Sequence, residues 1–316
     1  MKVAARRSPV ATKYLAASLC VILMMPISMA QATEGGGTAY PLGVNTVLAG
    51  KMPPPGLTNF FYLSEYRADQ TKDGSGDDKA NIENFDLNVQ ALSMRMDYVY
   101  TDYSLFGAKV ESRFALPMVK GDISFDVITP AGRIHRSEHQ DGVGDLYFSP
   151  LILGWSSPRY HQLVGLDIWA PTGSYDKDRL FNAGRNTWSY GPFYAFTAYP
   201  LENLEVSAKL IYVINGKNPD TKYRSGHEFN ADYNIGYNIS REWQLGLNGY
   251  LYKQLSDDEQ HGETFGDGNR GQVVAFGPSV KYQTPEIGFV MKWQHEELVE
   301  NRASGDRFWL QAVYRF

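Results

Sequence analysis

Cysteine is nearly absent from this chain of 316 residues, and its one copy, Cys20, lies close to the N-terminus. The same region carries four basic residues, an apolar run from Tyr14 to Ile27, and an Ala-Gln-Ala sequence at 30–32. This order is typical of a secretory signal peptide and predicts that residues 1–32 are removed. The exported chain would contain no cysteine, which excludes disulfides, thiolate metal ligands and a cysteine nucleophile.

Long hydrophobic runs and excess positive charge are also lacking. No apolar run of about 18 residues follows the leader, and the mean hydropathy is −0.36. This excludes a helical membrane protein, whereas the strands of a membrane β-barrel dilute their apolar face with polar residues. Loss of the leader, with its four basic residues and no acid, would change the net charge from −5 to −9. We therefore expect no nucleic-acid partner.

What the chain does contain is long alternation of apolar and polar residues. Between Tyr223 and Ile239, one parity is apolar and aromatic, and the other carries carboxylates and amides. The pattern recurs at 204–214 and 308–316. Successive side chains of a strand point to opposite faces, so the repeats predict an all-β transmembrane antiparallel barrel over 57–316.

Alternation and turn residues predict about twelve strands. We place them at 57–67, 84–100, 104–116, 143–156, 160–170, 186–199, 203–214, 223–239, 242–255, 271–283, 286–298 and 306–316. Five short connections, at 101–103, 156–159, 200–202, 240–241 and 284–285, alternate with six longer ones, at 68–83, 117–142, 171–185, 215–222, 256–270 and 299–305. Short periplasmic turns and long extracellular loops are typical of bacterial outer-membrane barrels.

The last predicted strand ends on the aromatic Phe316 and resembles the insertion signal of outer-membrane proteins. It predicts the bacterial outer membrane as the location. The expected partners are the barrel assembly machinery, outer-membrane lipid and lipopolysaccharide.

Several glycine and proline motifs resemble the outer-membrane family named for the meta-pathway of phenol degradation. They are Gly35, Gly36 and Tyr40 before Pro53, Pro54, Pro55 and Gly56; Gly142-Val143-Gly144-Asp145-Leu146; Trp169-Ala170-Pro171-Thr172-Gly173; and Gly277-Pro278-Ser279-Val280. The resemblance spans most of the exported chain and implies a transporter of aromatic compounds. The motifs are structural landmarks and define neither an active site nor a substrate.

Polar and aromatic residues on the inward parity are the candidates for lining the lumen. They are Arg95, Asp97, Lys109, Glu111, Arg113, Lys209, Glu228, Asn230, Asp232, Asn234, Asn248, Tyr250, Tyr252, Lys281, Lys292, Arg307, Trp309 and Arg315. A lipid-facing Arg or Lys near the midplane costs about 2 to 4 kcal/mol, which favours inward placement. Inside, the charges either pair across the barrel or line a water-filled path.

Residues 33–56 precede the first strand and are rich in glycine and proline. Proline cannot donate to a strand ladder, so this segment is not predicted to form part of the wall. It is either a periplasmic tail or a plug inside the lumen, and its apolar residues favour the plug.

Enzyme and metal chemistry have weaker support. Ser225 and His227 share a strand face, but about 7 Å separates such neighbours, and no orienting acid shares the face. The acidic loops at 69–77 and 257–267 lack the bidentate glutamate of a calcium loop. We expect no enzyme activity, no cofactor and no metal.

The sequence thus predicts an outer-membrane barrel that passively transports small hydrophobic or aromatic solutes. A structural or surface-interaction barrel with a blocked lumen is the alternative. An outer-membrane lipase or deacylase is a third, weaker one.

Overall fold

A computed structural model describes residue 34 and residues 37–315, apart from the side chain of Arg315. The predicted signal peptide and Phe316 lie outside these residues. Among the residues that are described, no helix is long and apolar enough to cross a membrane.

Sixteen strands make up the regular structure of the described residues. They are β1 (Gly56–Thr71), β2 (Ile82–Leu105), β3 (Ala108–Thr129), β4 (Gly132–Val143), β5 (Leu146–Ser156), β6 (Tyr160–Ala170), β7 (Ser189–Leu201), β8 (Leu204–Asn215), β9 (Tyr223–Arg224), β10 (Glu228–Asn238), β11 (Trp243–Gln254), β12 (Glu259–Gln260), β13 (Glu263–Thr264), β14 (Gln272–Gln283), β15 (Ile287–Glu300) and β16 (Ala303–Arg315).

Twelve of these strands form one closed antiparallel barrel, which confirms the predicted fold. The barrel order is β1, β2, β3, β5, β6, β7, β8, β10, β11, β14, β15 and β16, and β16 pairs back with β1. Closure leaves no unpaired barrel edge. The strand β4 extends β3 beyond the barrel as a hairpin, and β9, β12 and β13 form a small separate sheet.

The barrel has two different ends. At the short-turn end, consecutive barrel strands are joined by residues 106–107, 157–159, 202–203, 239–242 and 284–286. The opposite, long-loop end carries the connections 72–81, 171–188, 216–227 and 255–271, together with the β3–β4 hairpin.

The outer face carries an apolar belt, as expected for a surface in contact with lipid. Leu63 of β1 lies opposite Leu92 of β2 and Leu310 of β16. The three side chains are 50%, 51% and 43% exposed, respectively. Their neighbours in sequence, such as Tyr62 and Ser64, are buried inside, so the two-residue period of the strand separates the two environments.

The predicted loop at 117–142 is wrong, because most of it is the β3–β4 hairpin. Pro117 lies where β3 changes its partner from β5, which ends its pairing at Ala115, to β4, which begins at Met118. A proline is tolerated there because the ladder on that side is interrupted.

The single strand predicted for 223–239 is also wrong. The chain leaves the barrel after Asn215, forms β9 in the small separate sheet, and returns to the barrel at Glu228. Between them, the backbone N–H of Gly226 donates to Asp258 Oδ1 at 2.7 Å, and that of His227 donates to Ser256 Oγ at 2.9 Å. These two backbone N–H groups donate to side chains of the loop, whereas in a barrel strand they would donate to the neighbouring strand.

Two predicted connections are shorter or displaced. The predicted loop 299–305 is a two-residue connection, Asn301-Arg302, because β15 and β16 extend toward each other. The turn predicted at 101–103 lies at Phe106-Gly107, where both residues have positive φ.

Candidate functional site

The segment from residue 37 to residue 55 runs through the inside of the barrel. At the long-loop end, the Glu34 carboxylate accepts hydrogen bonds from Tyr175 OH at 3.2 Å and Asn218 Nδ2 at 2.9 Å. Near the short-turn end, the N–H of Gly50 donates to Thr197 Oγ1 at 3.0 Å. The chain therefore crosses the interior before β1 begins.

Asp232 on β10 is the main anchor of this segment. Its buried carboxylate accepts from Tyr40 OH at 2.6 Å and from the N–H groups of Gly43 and Asn45, both at 2.8 Å. Lys292 Nζ donates to the carbonyls of Gly43 and Val44 at 2.5 and 2.9 Å. Hydrogen bonds to buried charged groups are stronger than neutral ones, so this region is firmly held.

Gly43 is required where the segment passes Asp232. Its φ is +76°, and a Cβ there would lie 2.1 Å from Gln294 Oε1. Only a residue without a side chain allows the backbone to approach this closely.

Further buried polar groups surround Asp232 and form what we call the polar wall. Its members are Glu205, Ser207, Asp232, Asn234, Gln244, Asn248, Lys281, Lys292 and Gln294. Glu205 accepts from Leu48 N–H at 3.0 Å, Gln244 Nε2 at 2.8 Å and Lys281 Nζ at 3.0 Å. The wall thus supplies acceptors to the segment at two levels.

A charged cluster lies on β2 and β3 toward the short-turn end. Asp97 contacts Arg95 Nε at 2.8 Å and Arg113 Nε at 3.3 Å, and Arg113 also pairs with Glu111. The Arg95 guanidinium lies 4.1 Å from the centre of the Phe60 ring. Each of these charges has a partner of opposite sign.

A cavity of about 360 Å³ lies between the segment and the other side of the barrel. Its main surface, which we call the apolar wall, consists of Phe85, Leu87, Val89, Ala91, Ala115, Pro117, Val119 and Ile123. Tyr62, Tyr147, Trp169 and Trp309 add aromatic rings, and Arg95 borders the cavity at the charged cluster.

The connection 171–188 closes the cavity toward the long-loop end. Leu180 and Phe181 line it, and the backbone N–H of Leu180 donates to Glu138 Oε2 at 2.7 Å. The Phe181 ring packs over Gly121 of β3, where a Cβ would approach to 2.4 Å. The absence of a side chain at Gly121 makes room for this ring.

The structure places most of the predicted lumen residues inside the barrel. The buried ones are Asp97, Glu111, Arg113, Lys209, Glu228, Asn230, Asp232, Asn234, Asn248, Tyr250, Tyr252, Lys292 and Trp309. Arg95, Lys281 and Arg307 are partly exposed. Only Arg95, Arg307 and Trp309 of this set border the cavity.

Lys109 departs from the prediction, and Arg315 lies outside the described side chains. Lys109 shares the parity of Glu111 but is exposed beside the Phe106-Gly107 turn. Lys109 lies close to the end of the barrel, so its side chain reaches solvent although it is on the inward parity.

The sequence prediction missed the apolar wall. Leu87, Val89 and Ala91 share the parity of Arg95 and Asp97, so the signal was present in the alternation. It also missed Arg302, which had been assigned to a long loop.

Ser225 and His227 do not form a catalytic pair. Ser225 is buried and accepts from Arg185 Nη2 at 3.4 Å. His227 Nδ1 contacts Tyr212 OH at 2.9 Å on the outer side. Among the described residues, no group of three or more His, Cys, Asp or Glu is arranged to hold a metal ion.

The fold and the interior define a class, the outer-membrane type of β-barrel with an internal segment and a cavity. The family described as "Putative MetA-pathway of phenol degradation" matches residues 68–312. This chain belongs to that family, as the sequence motifs predicted.

A solved structure shares the fold. The barrel is similar to the crystal structure of the COG4313 outer membrane channel from Pseudomonas putida F1, with a TM-score of 0.70 and 19% identity over 84% of this chain and 98% of that chain. The NanC porin matches with a TM-score of 0.40 and 10% identity, covering 81% and 100% of the two chains. A Pseudomonas aeruginosa FadL homologue matches with a TM-score of 0.39 and 9% identity, covering 90% and 97%. No curated protein matches the sequence.

Proposed function

We propose that this protein is a passive channel for small hydrophobic or aromatic solutes in the bacterial outer membrane. The observation that carries the proposal is the cavity of about 360 Å³ between the apolar wall and the internal segment. Small-molecule sites are typically apolar clefts of roughly 300 to 1,000 Å³ with a few polar groups. The size of this cavity suits a solute of one or two rings.

The position of the apolar wall supports a solute-binding role. Leu87 and Val89 face inward, although the outward side of the strand is available for lipid contact. Burying about 100 Å² of apolar solute surface against such a wall would contribute about 2.5 kcal/mol. Contact with lipid does not require apolar residues on the inward face of the strand, so their placement favours a hydrophobic solute.

The internal segment would act as the plug. It is bound to the polar wall through Asp232, Glu205 and Lys292, while its residues Tyr40, Leu42 and Val44 border the cavity. A plug held on one side and apolar on the other would form one boundary of the solute's path. Solute passage would require this boundary to shift.

The firm hydrogen bonding of the segment favours one competing function, a structural barrel with a blocked lumen. The two are distinguished by calorimetric binding of benzamide, a neutral aromatic amide, to the full chain in detergent, and by its block of ion conductance in a planar bilayer. We expect binding and block. Absence of both, with no conductance, would favour the structural barrel.

A cavity-filling variant tests where the solute binds. Ala91→Phe places a ring inside the cavity, and Ala312→Phe adds the same ring on the outward parity of β16. We expect Ala91→Phe to weaken benzamide binding by at least about tenfold, as for loss of about 1.4 kcal/mol, and Ala312→Phe to leave it unchanged. Equal affinities in both variants would contradict binding in the cavity.

A further inference from the structure

Three residues with hydrogen-bond donors border the cavity on β16 and on the connection that precedes it. Arg307 and Trp309 lie on β16 opposite Tyr66 and Ser64 of β1. Arg302 lies in the two-residue connection just before β16, and all three residues border the cavity. We call Arg302, Arg307 and Trp309 the donor cluster.

The donor cluster has buried N–H groups without acceptors. Arg302 and Trp309 are only 5% and 7% exposed. Within the described part of the chain, Arg302 Nε and Nη1, Arg307 Nε and Trp309 Nε1 have no hydrogen-bond partner. Buried donors are nearly always satisfied in native proteins, so these unpaired donors beside a cavity favour the binding of an acceptor there.

The two arginines of the donor cluster contact aromatic rings. The guanidinium groups of Arg302 and Arg307 lie over the rings of Tyr252 and Tyr66, at 4.2 and 4.5 Å. No ion pair among the described residues includes either arginine.

The neighbouring carboxylate, Glu296, is engaged by other donors. It accepts from Tyr66 OH at 2.7 Å, Gly305 N–H at 3.0 Å and Tyr250 OH at 2.6 Å. Neither arginine of the donor cluster is among the hydrogen-bond donors to Glu296.

We propose that the donor cluster binds the carboxylate of an aromatic carboxylic acid whose ring lies against the apolar wall. This inference rests on the proposed solute channel and names the class of its substrate. A carboxylate supplies a negative charge and the planar acceptors that a guanidinium recognises in bidentate fashion. The cavity beyond the cluster is apolar and aromatic, which fits a ring and disfavours a fully hydrated anion.

The other end of the cavity is a poorer anion site. Arg95 there is already paired with Asp97 at 2.8 Å and donates to Asn45 Oδ1 at 3.2 Å. An anion at that end would compete with an existing carboxylate. The solute is therefore oriented with its carboxylate toward the long-loop end.

Benzoate and benzamide test the inference, because they have nearly the same shape and differ in charge. Calorimetry on the full chain in detergent should show benzoate binding at least about tenfold more tightly than benzamide, the worth of one charge-assisted hydrogen bond. Arg302→Gln should remove this preference and leave benzamide affinity unchanged. Trp309→Phe, which keeps a ring but removes the N–H, should weaken benzoate by a smaller factor.

Arg67→Gln is the matched control. Arg67 lies on β1 opposite Asp306, one residue from Arg307 along β16, but its side chain is exposed on the outer face. We expect this variant to bind both probes like the wild type. A heat-modifiable band on unboiled gels confirms that each variant has assembled.

The outcomes separate this inference from the proposed channel. If benzamide binds and benzoate binds no more tightly, the donor cluster is not an anion site, although the channel proposal stands. An unchanged benzoate preference in Arg302→Gln and Trp309→Phe also overturns the inference. If neither probe binds the wild type, both proposals fail. If Arg302→Gln does not assemble, the wild-type preference and Trp309→Phe still decide the question.

Discussion

The two sides of the barrel interior make different contacts with the internal segment. The polar wall offers carboxylates at Asp232 and Glu205, which accept backbone N–H groups of the segment. The apolar wall offers hydrocarbon and no comparable acceptors, and the cavity lies on that side. The segment is therefore bound to the polar wall, which supplies hydrogen-bond acceptors to its backbone. The cavity lies on the side of the apolar wall, which supplies none.

This difference follows from the backbone of the segment itself. Residues 37–55 form no strand, so their N–H and C=O groups need partners other than a ladder. Side chains of the polar wall provide these partners. A wall of uniform polarity would either have bound the segment on all sides, leaving no cavity, or have left its backbone unsatisfied.

Removing the anchor should have the largest effect on this asymmetry. Asp232→Ala leaves Tyr40 OH and the N–H groups of Gly43 and Asn45 without their acceptor, and Lys292 loses a nearby opposite charge. We expect a loss of about 3 to 5 kcal/mol in the free energy of unfolding, as when one partner of a buried pair is removed. The melting of the heat-modifiable band measures this loss.

The same variant should raise ion conductance in planar bilayers, because the segment is released from one wall. Asp102→Ala is the control, since Asp102 is an exposed residue of β2. An Asp232→Ala barrel with wild-type stability and conductance would show that the polar wall does not hold the segment.

The next largest effect tests which face of β10 points into the barrel and which face contacts lipid. Ile235 lies three residues from Asp232 and is 49% exposed on the outer face. Ile235→Arg should cost about 2 to 4 kcal/mol if it lies near the bilayer midplane. Outer-membrane yield is the measurement.

Ile239→Arg provides the control at a different depth. Ile239 is exposed just after the end of β10, in the connection at the short-turn end. A charge near the interface costs only about 0 to 1 kcal/mol, so its yield should be close to that of the wild type. Equal yields for the two variants would contradict the placement of Ile235 in the apolar belt near the bilayer midplane.

Alternation made the barrel predictable from sequence, because each strand has only two faces. It placed Asp232 inside and Ile235 outside without any knowledge of neighbours. It did not predict that the barrel strand begins at Glu228. Tyr223 and Arg224 continue the same alternation of apolar and polar residues, but they belong to a different sheet. Period alone does not reveal which strand is the partner.

The candidate site was less predictable for a related reason. The polar wall was visible as inward charges, but its role in binding residues 43–50 depends on contacts across about 190 positions of sequence, such as Gly43 with Asp232. Arg302 was hidden because the length of the β15–β16 connection depends on tertiary pairing. Buried donors that lack acceptors are recognisable only in three dimensions.

The smallest predicted effect concerns the loops above the polar wall, where Asp258 is fully buried. Burial and the charge of Glu228 raise the pKa of Asp258, and hydrogen bonds from Tyr223, Gly226 and Gln254 lower it, so that the pKa is about 7. Its pKa in the unfolded chain is about 3.9. The folded loop therefore binds the proton more tightly, so its stability is greatest below about pH 4, decreases as the pH rises, and levels off above about pH 7.

Hydrogen exchange of the connection 255–271, corrected for the intrinsic rate, measures this dependence. Protection should be lower at pH 8 than at pH 5, and Asp258→Asn should remove the difference because the group no longer ionises. Asp257→Asn is the control, since Asp257 is partly exposed and pairs with Arg270 at 2.7 Å. Because Glu228 next to this cluster accepts a hydrogen bond from Thr38, the same experiment shows whether the first residues of the segment loosen together with the loop. A pH-independent wild type would mean that the buried carboxyl does not titrate in this range.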